Sequence, residues 1–313
     1  MHIHHGIEQI SHIRYPVVTS GTFDGVHLGH KKILRKIKQI AEEHNGETVL
    51  LTFWPHPKYV LNAPSTALKL LTTFDEKAEI LQQLGINHLI KIPFTKEFSQ
   101  TSSRQFVEDI IVSKLGCKEL VIGYDHRFGR NREGSFDYLQ ENAASFGFKV
   151  REIPRQDIDH IGISSTKIRG YLLNHQVHLA NKLLGRPYSL SGKVAKGQQV
   201  GRTIGFPTAN IEIKESYKLV PSDGAYAVQV SVNGSKLRGM MNIGLRPTVE
   251  GVHKTIEVHI FDFDKSIYGH QLKVDIIKQI RQEQKFDNLE KLTQQLKKDR
   301  EVARNILNHL END

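Results

Sequence analysis

The sequence predicts an α/β fold with a parallel sheet, followed by a small antiparallel β-barrel that ends in a helix. In the first half, short apolar segments alternate with segments of helical periodicity, which is typical of βαβ units with helices on both faces of the sheet. Beyond Gly185-Arg186-Pro187 the helical periodicity stops, and short alternating segments separated by glycine and asparagine follow. We therefore predict two domains, residues 1–184 and 185–313.

The first predicted helix follows the first strand and has one apolar face, formed by Ile33, Leu34, Ile37, Ile40 and Ala41. Ligands of parallel sheets bind beyond the carboxyl ends of the strands, so polar residues there are the first candidates for a site. The predicted strands of this half are Tyr15–Thr19, Thr48–Phe53, His88–Ile92, Glu119–Gly123 and Lys149–Ile153, and its later helices are Asp75–Leu84, Ser102–Leu115 and Ser135–Phe146.

The second half has the alternation and the turn sequences of a small barrel. Turns are expected at Asn233-Gly234 and at Ser222-Asp223-Gly224. A final helix is predicted over Leu289–Leu310, because its apolar residues recur at helical spacing. The predicted strands are Ser189–Ala195, Tyr226–Val232, Lys236–Ile243, Thr255–Phe261 and Leu272–Ile277.

Composition narrows the classes of function. The chain lacks a run of about 18 apolar residues and an apolar leader, so we expect no membrane partner. Its one cysteine, Cys117, excludes an internal disulfide and fits a cytoplasmic protein. A net charge of +9 favours anionic partners. Because the cations are dispersed along the chain, phosphorylated small molecules are favoured over nucleic acid.

The segment Gly21–His30 is the first candidate site. It follows a strand and opens a helix, and free N–H groups at a helix start attract anions. Its glycines allow a tight turn and a close approach to a ligand. His27 and His30 are positioned to donate to phosphate oxygens. Two alternatives stay open for this pair, a metal site and ordinary surface histidines.

The segment Ile163–Arg169 repeats this logic at a second predicted helix start. It carries the hydroxyls of Ser164, Ser165 and Thr166, with Arg169 one turn beyond Ser165. Ser164 alone would be read as a helix cap. A cap is usually followed by an acidic residue at the third position, however, and Lys167 stands there instead. Hydroxyls with Lys and Arg at a helix start favour a polyphosphate ligand.

Together these two segments resemble the Rossmann-like nucleotidyltransferase superfamily. Two further segments, Thr52–Pro57 and Gly123–Gly129, are similar to its flavin-specific adenylyltransferases, although Thr22 stands where that family usually has Asn. The resemblance implies that ATP and FMN bind here and that FAD and pyrophosphate are formed. It implies roles in ATP or flavin binding for Gly21, Phe23, Asp24, Asp125, Ser164, Ser165 and Thr166, and in catalysis for His27, His30 and Arg169.

The glycine-rich segment Gly197–Asn210 is the candidate site of the second half. Thr208 and Asn210 lie two residues apart, so in an extended segment both side-chain oxygens can reach one hard cation, most naturally Mg²⁺ bound with phosphate. An ordinary hairpin loop is the alternative. The run Gly205–Asn210 resembles the riboflavin kinase signature, and this implies ATP contacts at Gly201 and Arg202.

Glu257 is the candidate base. Ile256, Val258 and Ile260 form one apolar face of a predicted strand, which leaves the Glu257 carboxylate on the other face. There it could accept a proton from an attacking alcohol or simply be solvated. The kinase resemblance implies the catalytic role, and it places Asn242, Arg281 and Glu283 near ATP or flavin.

Taken together, the chain resembles the prokaryotic bifunctional riboflavin kinase and FMN adenylyltransferase family over nearly its whole length. This implies phosphorylation of riboflavin to FMN in the barrel and adenylylation of FMN to FAD in the α/β half, with ATP, Mg²⁺ and flavins as the small molecules handled. Self-association is left open. The alternatives are a silent kinase module, an acceptor such as phosphopantetheine, and a flavin-sensing or nucleic-acid-binding protein without turnover.

Overall fold

The computed structural model describes residues 1–8, 10–61, 68–124, 126–154, 162–197, 200–248 and 251–309. The contacts divide the chain into two compact units, Met1–Ser165 and Thr166–Asp313. The domain boundary between residues 184 and 185 stays a prediction. Helix Val177–Leu184 is tied to the second unit, because the Asn181 side chain donates to Ile276 O at 2.8 Å and accepts from Tyr188 N at 2.8 Å.

The first unit is built on a fully parallel six-stranded sheet in the order β1-β4-β3-β2-β5-β6. The α/β prediction is therefore confirmed. One strand lay outside the prediction, since β1 extends the sheet at its edge by pairing with β4. The strands are β1 (His2–His5), β2 (Pro16–Ser20), β3 (Glu47–Trp54), β4 (His88–Pro93), β5 (Glu119–Gly123) and β6 (Lys149–Ile153).

Helices cover the sheet and form two apolar cores with it. One core packs Ile37 and Ile40 of α1 against Val17 and Leu50, and the other packs Val107 and Ile111 against Val18. Val107 and Ile111 belong to a π-helix, Phe106–Lys114, which directly continues the short α-helix Ser103–Gln105. The α-helices of this unit are α1 (Leu28–Glu43), α2 (Pro57–Leu61), α3 (Phe74–Gln83), α4 (Ser103–Gln105) and α5 (Phe136–Phe146).

The strand order reverses between β2 and β5, because the chain passes from β2 toward β3 on one side and reaches β5 on the other. In open parallel sheets, a crevice for ligands forms at this position, outside the carboxyl ends of the strands. The loops after Ser20 and Gly123 therefore border the expected binding crevice of this unit.

The second unit contains the predicted antiparallel barrel, closed in the order β10-β11-β8-β7-β12-β9. The short strand β8 was missing from the predicted strands, because its four residues are too few to show an alternating pattern. The final helix packs Ala303 and Leu307 against Met240 and Phe261. The strands are β7 (Tyr188–Ala195), β8 (Ala209–Glu212), β9 (Gly224–Val232), β10 (Ser235–Thr248), β11 (Gly251–Ile260) and β12 (Gln271–Gln282), and the helix is Leu289–His309.

We predict that Asn181→Ala lowers the free energy of unfolding by about 1–3 kcal/mol, because it leaves part-buried backbone groups of β7 and β12 without their hydrogen bonds. Urea unfolding followed by circular dichroism measures the change. Asn174→Ala is the matched control, since the exposed Asn174 amide donates only to Gly170 O of the helix that ends just before it. Equal losses in the two variants would contradict the prediction.

Candidate active sites

The turn that follows β2 has an unusual backbone. Phe23 and Val26 adopt positive φ angles of 45° and 40°, which are rare for bulky residues, and Gly25 has a φ of 81°. The Asp24 carboxylate holds this shape, because it accepts from Leu71 N at 2.9 Å and from Thr72 N at 3.2 Å. Backbone strain of this kind persists only where the surroundings enforce it, and it concentrates at ligand sites.

His27 and His30 lie together where this turn becomes α1. His27 is the N-cap, and its Nδ1 accepts from His30 N at 3.4 Å, so its Nε2 is the nitrogen that carries the donating hydrogen in the neutral ring. The two rings stack with centroids 3.6 Å apart. Burial, followed by the charges of His27 and Lys77, holds the pKa of His30 well below its usual range, so this ring is neutral.

Nδ1 of His30 is buried and lacks a hydrogen-bond partner within the described part of the chain. An unpaired buried nitrogen at a helix start calls for a ligand, and a phosphate oxygen fits the adjoining N–H groups. For the metal alternative, the described residues contain no cluster of three or more His, Cys, Asp or Glu side chains able to hold an ion.

The second segment joins the first through Ser165. Its hydroxyl donates to the carbonyl oxygen of Asp24 at 3.0 Å, although the two residues are 141 positions apart in sequence. Ser165 begins the helix Ser165–Leu173. Ser164 and Thr166 are exposed beside it, and Arg169 is half-buried on the same helix. Asp125, expected to contact nucleotide or flavin, lies outside the described residues.

Two residues of this unit escaped the sequence reasoning. His126 follows β5, and its Nε2 lies 3.2 Å from the Ser20 hydroxyl at the end of β2, across the crevice. Burial lowers the pKa of His126 to about 4, with Arg132 and Arg127 adding to the shift. Lys77 donates to Thr22 O within the turn. A lysine on the apolar face formed by Phe74, Ala78 and Leu81 was the available signal.

In the barrel, three predicted residues lie side by side on adjacent strands. Asn242 of β10 pairs in register with Glu257 of β11, and Glu257 pairs with Asn210 of β8. The Thr208 hydroxyl lies 3.4 Å from a carboxylate oxygen of Glu257. The predicted cation ligands and the predicted base therefore form one cluster of oxygens.

The glycine-rich segment passes close to this cluster. A side chain at Gly197 would collide with the Asn210 amide, and one at Gly201 would collide with the carbonyl of Phe206. The close backbone contact therefore requires glycine at position 201, whereas a side chain at position 197 would displace the Asn210 amide from the cluster. Arg202 is exposed on the short helix Val200–Thr203.

Glu283 and Arg281 differ in their surroundings. The exposed Glu283 carboxyl bonds to Asn242; desolvation by its surroundings raises its pKa, and the negative charges of Asp223 and Glu257 add to this. This places Glu283 beside the cluster. Arg281 forms an ion pair with the buried Asp299 of the final helix at 2.9 Å. The contact between Arg281 and substrate thus stays a prediction. The contact that the structure shows, with Asp299, joins β12 to the final helix.

An α/β unit with a candidate anion site at a helix start, followed by a barrel with a carboxylate beside hydroxyl and amide oxygens, fits a class of enzyme that transfers phosphate groups in two modules. The family model for FAD synthetase matches residues 9–167, and that for riboflavin kinase matches residues 184–307. The chain belongs to the bifunctional riboflavin kinase/FMN adenylyltransferase family.

Curated relatives with this name match almost end to end. The Bacillus subtilis (strain 168) protein is 38% identical over 307 residues, covering 96% of this chain and 95% of the relative. The Escherichia coli (strain K12) protein is 37% identical over 289 residues, covering 92% and 91%. A Streptococcus pneumoniae crystal structure described as a macrolide-efflux protein matches with a TM-score of 0.88 at 32% identity, covering 97% of this chain and 99% of that chain.

The protein is an enzyme of flavin-cofactor biosynthesis. It phosphorylates riboflavin with ATP to give FMN, and it then adenylylates FMN with a second ATP to give FAD and pyrophosphate. The FAD synthetase model accounts for the adenylyl transfer and the riboflavin kinase model for the phosphorylation, so the two reactions occur in the reverse of the order of their domains along the chain. Within the described residues, helices of the length and hydropathy needed to cross a membrane are absent.

We predict that stability falls as the pH drops from about 6.5 to about 4, in part through His126. The pKa of His126 is lower in the folded protein than in the unfolded chain, so the unfolded chain binds the extra proton first over this range. Urea unfolding at several pH values should give a shallower decline for His126→Asn than for the wild type.

The control for this experiment is His178→Asn, which changes an exposed histidine on helix Val177–Leu184. Its decline should match that of the wild type. A His126→Asn protein with the same pH dependence as the wild type would refute the assignment.

Proposed function

We propose that the turn after β2 and the start of α1 bind the polyphosphate of ATP in the adenylyl transfer, through His27, His30 and Ser165. The observation that carries this proposal is the bond from the Ser165 hydroxyl to Asp24 O, which joins the two sequence segments that resemblance assigns to ATP. Thr166 and Arg169 keep their sequence-based assignment to the same ATP, and Asp125 keeps its assignment to nucleotide or flavin.

Asp24 and Phe23 act differently from direct ligands in this proposal. The Asp24 carboxylate is bound to the backbone of residues 71 and 72, so its role is to hold the turn open for the anion. The Phe23 ring packs against the His30 ring with centroids 4.7 Å apart, which fixes the imidazole. Gly21 starts the turn at the carboxyl end of β2 with a φ of 158°.

The chemistry requires positioning and charge stabilisation. A phosphate oxygen of FMN attacks the α-phosphorus of ATP, the bond between that phosphorus and the oxygen bridging to the β-phosphorus breaks, and pyrophosphate leaves with the electron pair. The attacking group is already an anion, so a general base is unnecessary. The imidazole groups of His27 and His30 and the helix N–H groups stabilise the negative charge that develops on the leaving group.

In the barrel, we propose that Glu257 accepts the proton of the terminal ribityl hydroxyl of riboflavin. The hydroxyl oxygen attacks the γ-phosphorus of ATP, and ADP leaves as the bond between that phosphorus and its bridging oxygen breaks. Asn242 and Glu283 lie beside Glu257 and are assigned to orienting ATP or flavin. Gly201 and Arg202 are assigned to the ATP phosphates, and Arg281 supports the strand end that carries Glu283.

The donor set in the barrel fits Mg²⁺. Magnesium takes hard oxygen ligands and is commonly held by one or two protein groups together with substrate phosphates. Thr208 and Asn210 supply a hydroxyl and an amide oxygen beside the Glu257 carboxylate, which is the set that such an ion requires. When bound, the ion neutralises charge on the phosphates of ATP.

Two broader assignments accompany these sites. We infer a cytoplasmic location from Cys117, a free buried thiol whose pKa is raised by burial, since unpaired cysteine suits a reducing compartment. We also infer that the net charge of +9 serves small anionic substrates, and nucleic acid and membranes are outside the proposal.

We predict that His30→Ala reduces FAD formation from FMN and ATP by about 100-fold or more, the usual cost of losing a donor to developing charge. FMN formation from riboflavin should be unchanged. Chromatographic separation of the flavins measures both activities in one preparation. His12→Ala, an exposed change in the same unit, should leave both activities intact. Undiminished FAD formation in His30→Ala would refute the adenylyl-transfer site.

We predict that Glu257→Gln reduces riboflavin phosphorylation by about 100-fold or more, because the amide cannot accept the proton. Adenylylation of supplied FMN should continue at the wild-type rate. The control Glu212→Gln removes an exposed carboxylate of the neighbouring strand β8 and should leave the kinase unchanged. A Glu257→Gln protein with normal kinase activity would rule out the role of Glu257 as the base.

A further inference from the structure

Lys77 is an almost completely buried lysine that contacts the turn of the proposed adenylyl-transfer site. Its side chain lies on α3 and is 6% exposed. Nζ donates to Thr22 O at 2.7 Å and to the Thr52 hydroxyl at 3.2 Å. Both of these acceptors are neutral oxygens. Lysine is rarely buried in this way unless it is paired with a carboxylate, so the position needs a reason.

The charges around Lys77 come from three elements. Asp24 of the turn attracts the ammonium group, Lys91 of β4 repels it, and His30 of α1 is close enough for the lysine charge to lower the pKa of its ring. Burial is the largest influence and lowers the pKa of Lys77 to about 8. At neutral pH the amine is therefore mostly charged, in an environment that penalises the charge.

A desolvated cation opposes folding, because its folded pKa lies below that of an unfolded lysine. A structural role would be served as well by an apolar side chain at this position of α3, where Phe74, Ala78 and Leu81 share the same face. Buried charges that are kept at a cost to stability concentrate at functional sites. A functional explanation for the buried charge of Lys77 therefore involves the turn that its amine contacts at Thr22 O.

The turn above Lys77 carries the proposed ATP contacts. Thr22 lies between Gly21 and Phe23, and its carbonyl is the group that Lys77 holds at 2.7 Å. Five residues after Thr22, His27 caps α1. Lys77 thus holds the turn through its backbone at Thr22, while Leu71 N and Thr72 N hold it through the Asp24 carboxylate. In a site with little water, a fixed charge acts strongly on a developing anion.

We infer that Lys77 is a positioning residue for adenylyl transfer, whose charged amine holds the turn after β2 in its phosphate-binding shape and stabilises the negative charge that develops on the leaving pyrophosphate. This inference rests on the proposed site at His27 and His30. It concerns the transition state more than the bound ATP, because the negative charge on the leaving group grows as the bond to the α-phosphorus breaks.

The test compares Lys77→Met with the wild type across a pH series. We expect kcat for FAD formation to fall about tenfold or more in the variant at neutral pH, with a much smaller change in KM for ATP. In the wild type, kcat should decline as the pH rises through about 8, since Lys77 loses its proton there. In Lys77→Met this decline should be absent. Riboflavin phosphorylation in the same preparations should be unchanged.

Lys38→Met is the matched control, because it removes one positive charge from an exposed position of α1 in the same unit. It should leave kcat and the pH profile as in the wild type. If Lys77→Met does not fold, the dependence of kcat for FAD formation on pH in the wild type is an independent test. A wild-type kcat that stays constant from about pH 8 to about pH 9 would then overturn the inference.

The results separate this inference from the proposed site. If His30→Ala abolishes FAD formation while Lys77→Met retains kcat within about threefold and keeps the alkaline decline, the role of Lys77 is wrong and the site stands. If His30→Ala retains full FAD formation, the proposed site itself is wrong.

Discussion

The first unit depends on the anchoring of one strained turn by the Asp24 carboxylate. Phe23 and Val26 adopt backbone angles that bulky residues avoid, and the bonds from Leu71 N and Thr72 N to the Asp24 carboxylate help to offset the cost. The same residue accepts the Ser165 hydroxyl through its carbonyl oxygen. One residue therefore brings together three segments that are far apart in sequence, and the position of the histidines at the start of α1 follows from it.

The two proposed sites differ in how they would accommodate the negative charge of phosphate groups. Around His30, burial and neighbouring positive charge keep the imidazole neutral, and Lys77 remains as the buried cation. Around Glu257 the groups are carboxylate, amide and hydroxyl oxygens, and desolvation, with the charges of Asp223 and Glu257 adding to it, raises the pKa of Glu283. The first arrangement suits an attacking group that is already an anion. The second suits a cation brought in with ATP and a hydroxyl that must lose its proton.

The sequence predicted what depends on local pattern. The parallel sheet, the barrel and the final helix follow from apolar periodicity, and Glu257 was placed on the polar face of its strand by alternation alone. Strand β1 was missed because its four residues, three of them histidines, have no apolar pattern. The segment becomes a strand only by pairing with β4, which the sequence pattern does not show. His126 and Lys77 were missed for a related reason. Their importance comes from Ser20 and Thr22, which are distant in sequence.

Arg281 shows why a family motif alone does not fix the role of each residue. Its guanidinium is held by Asp299 of the final helix, and Asp299 also accepts from Gln295 of that helix, so the arginine joins β12 to the helix. Two residues along, Glu283 interacts with Asn242, which is the register partner of Glu257. The ion pair thus fixes the strand end that positions Glu283. A residue can act on a site through the backbone that it holds, and in this barrel Arg281 lies near the end of β12, two residues before Glu283.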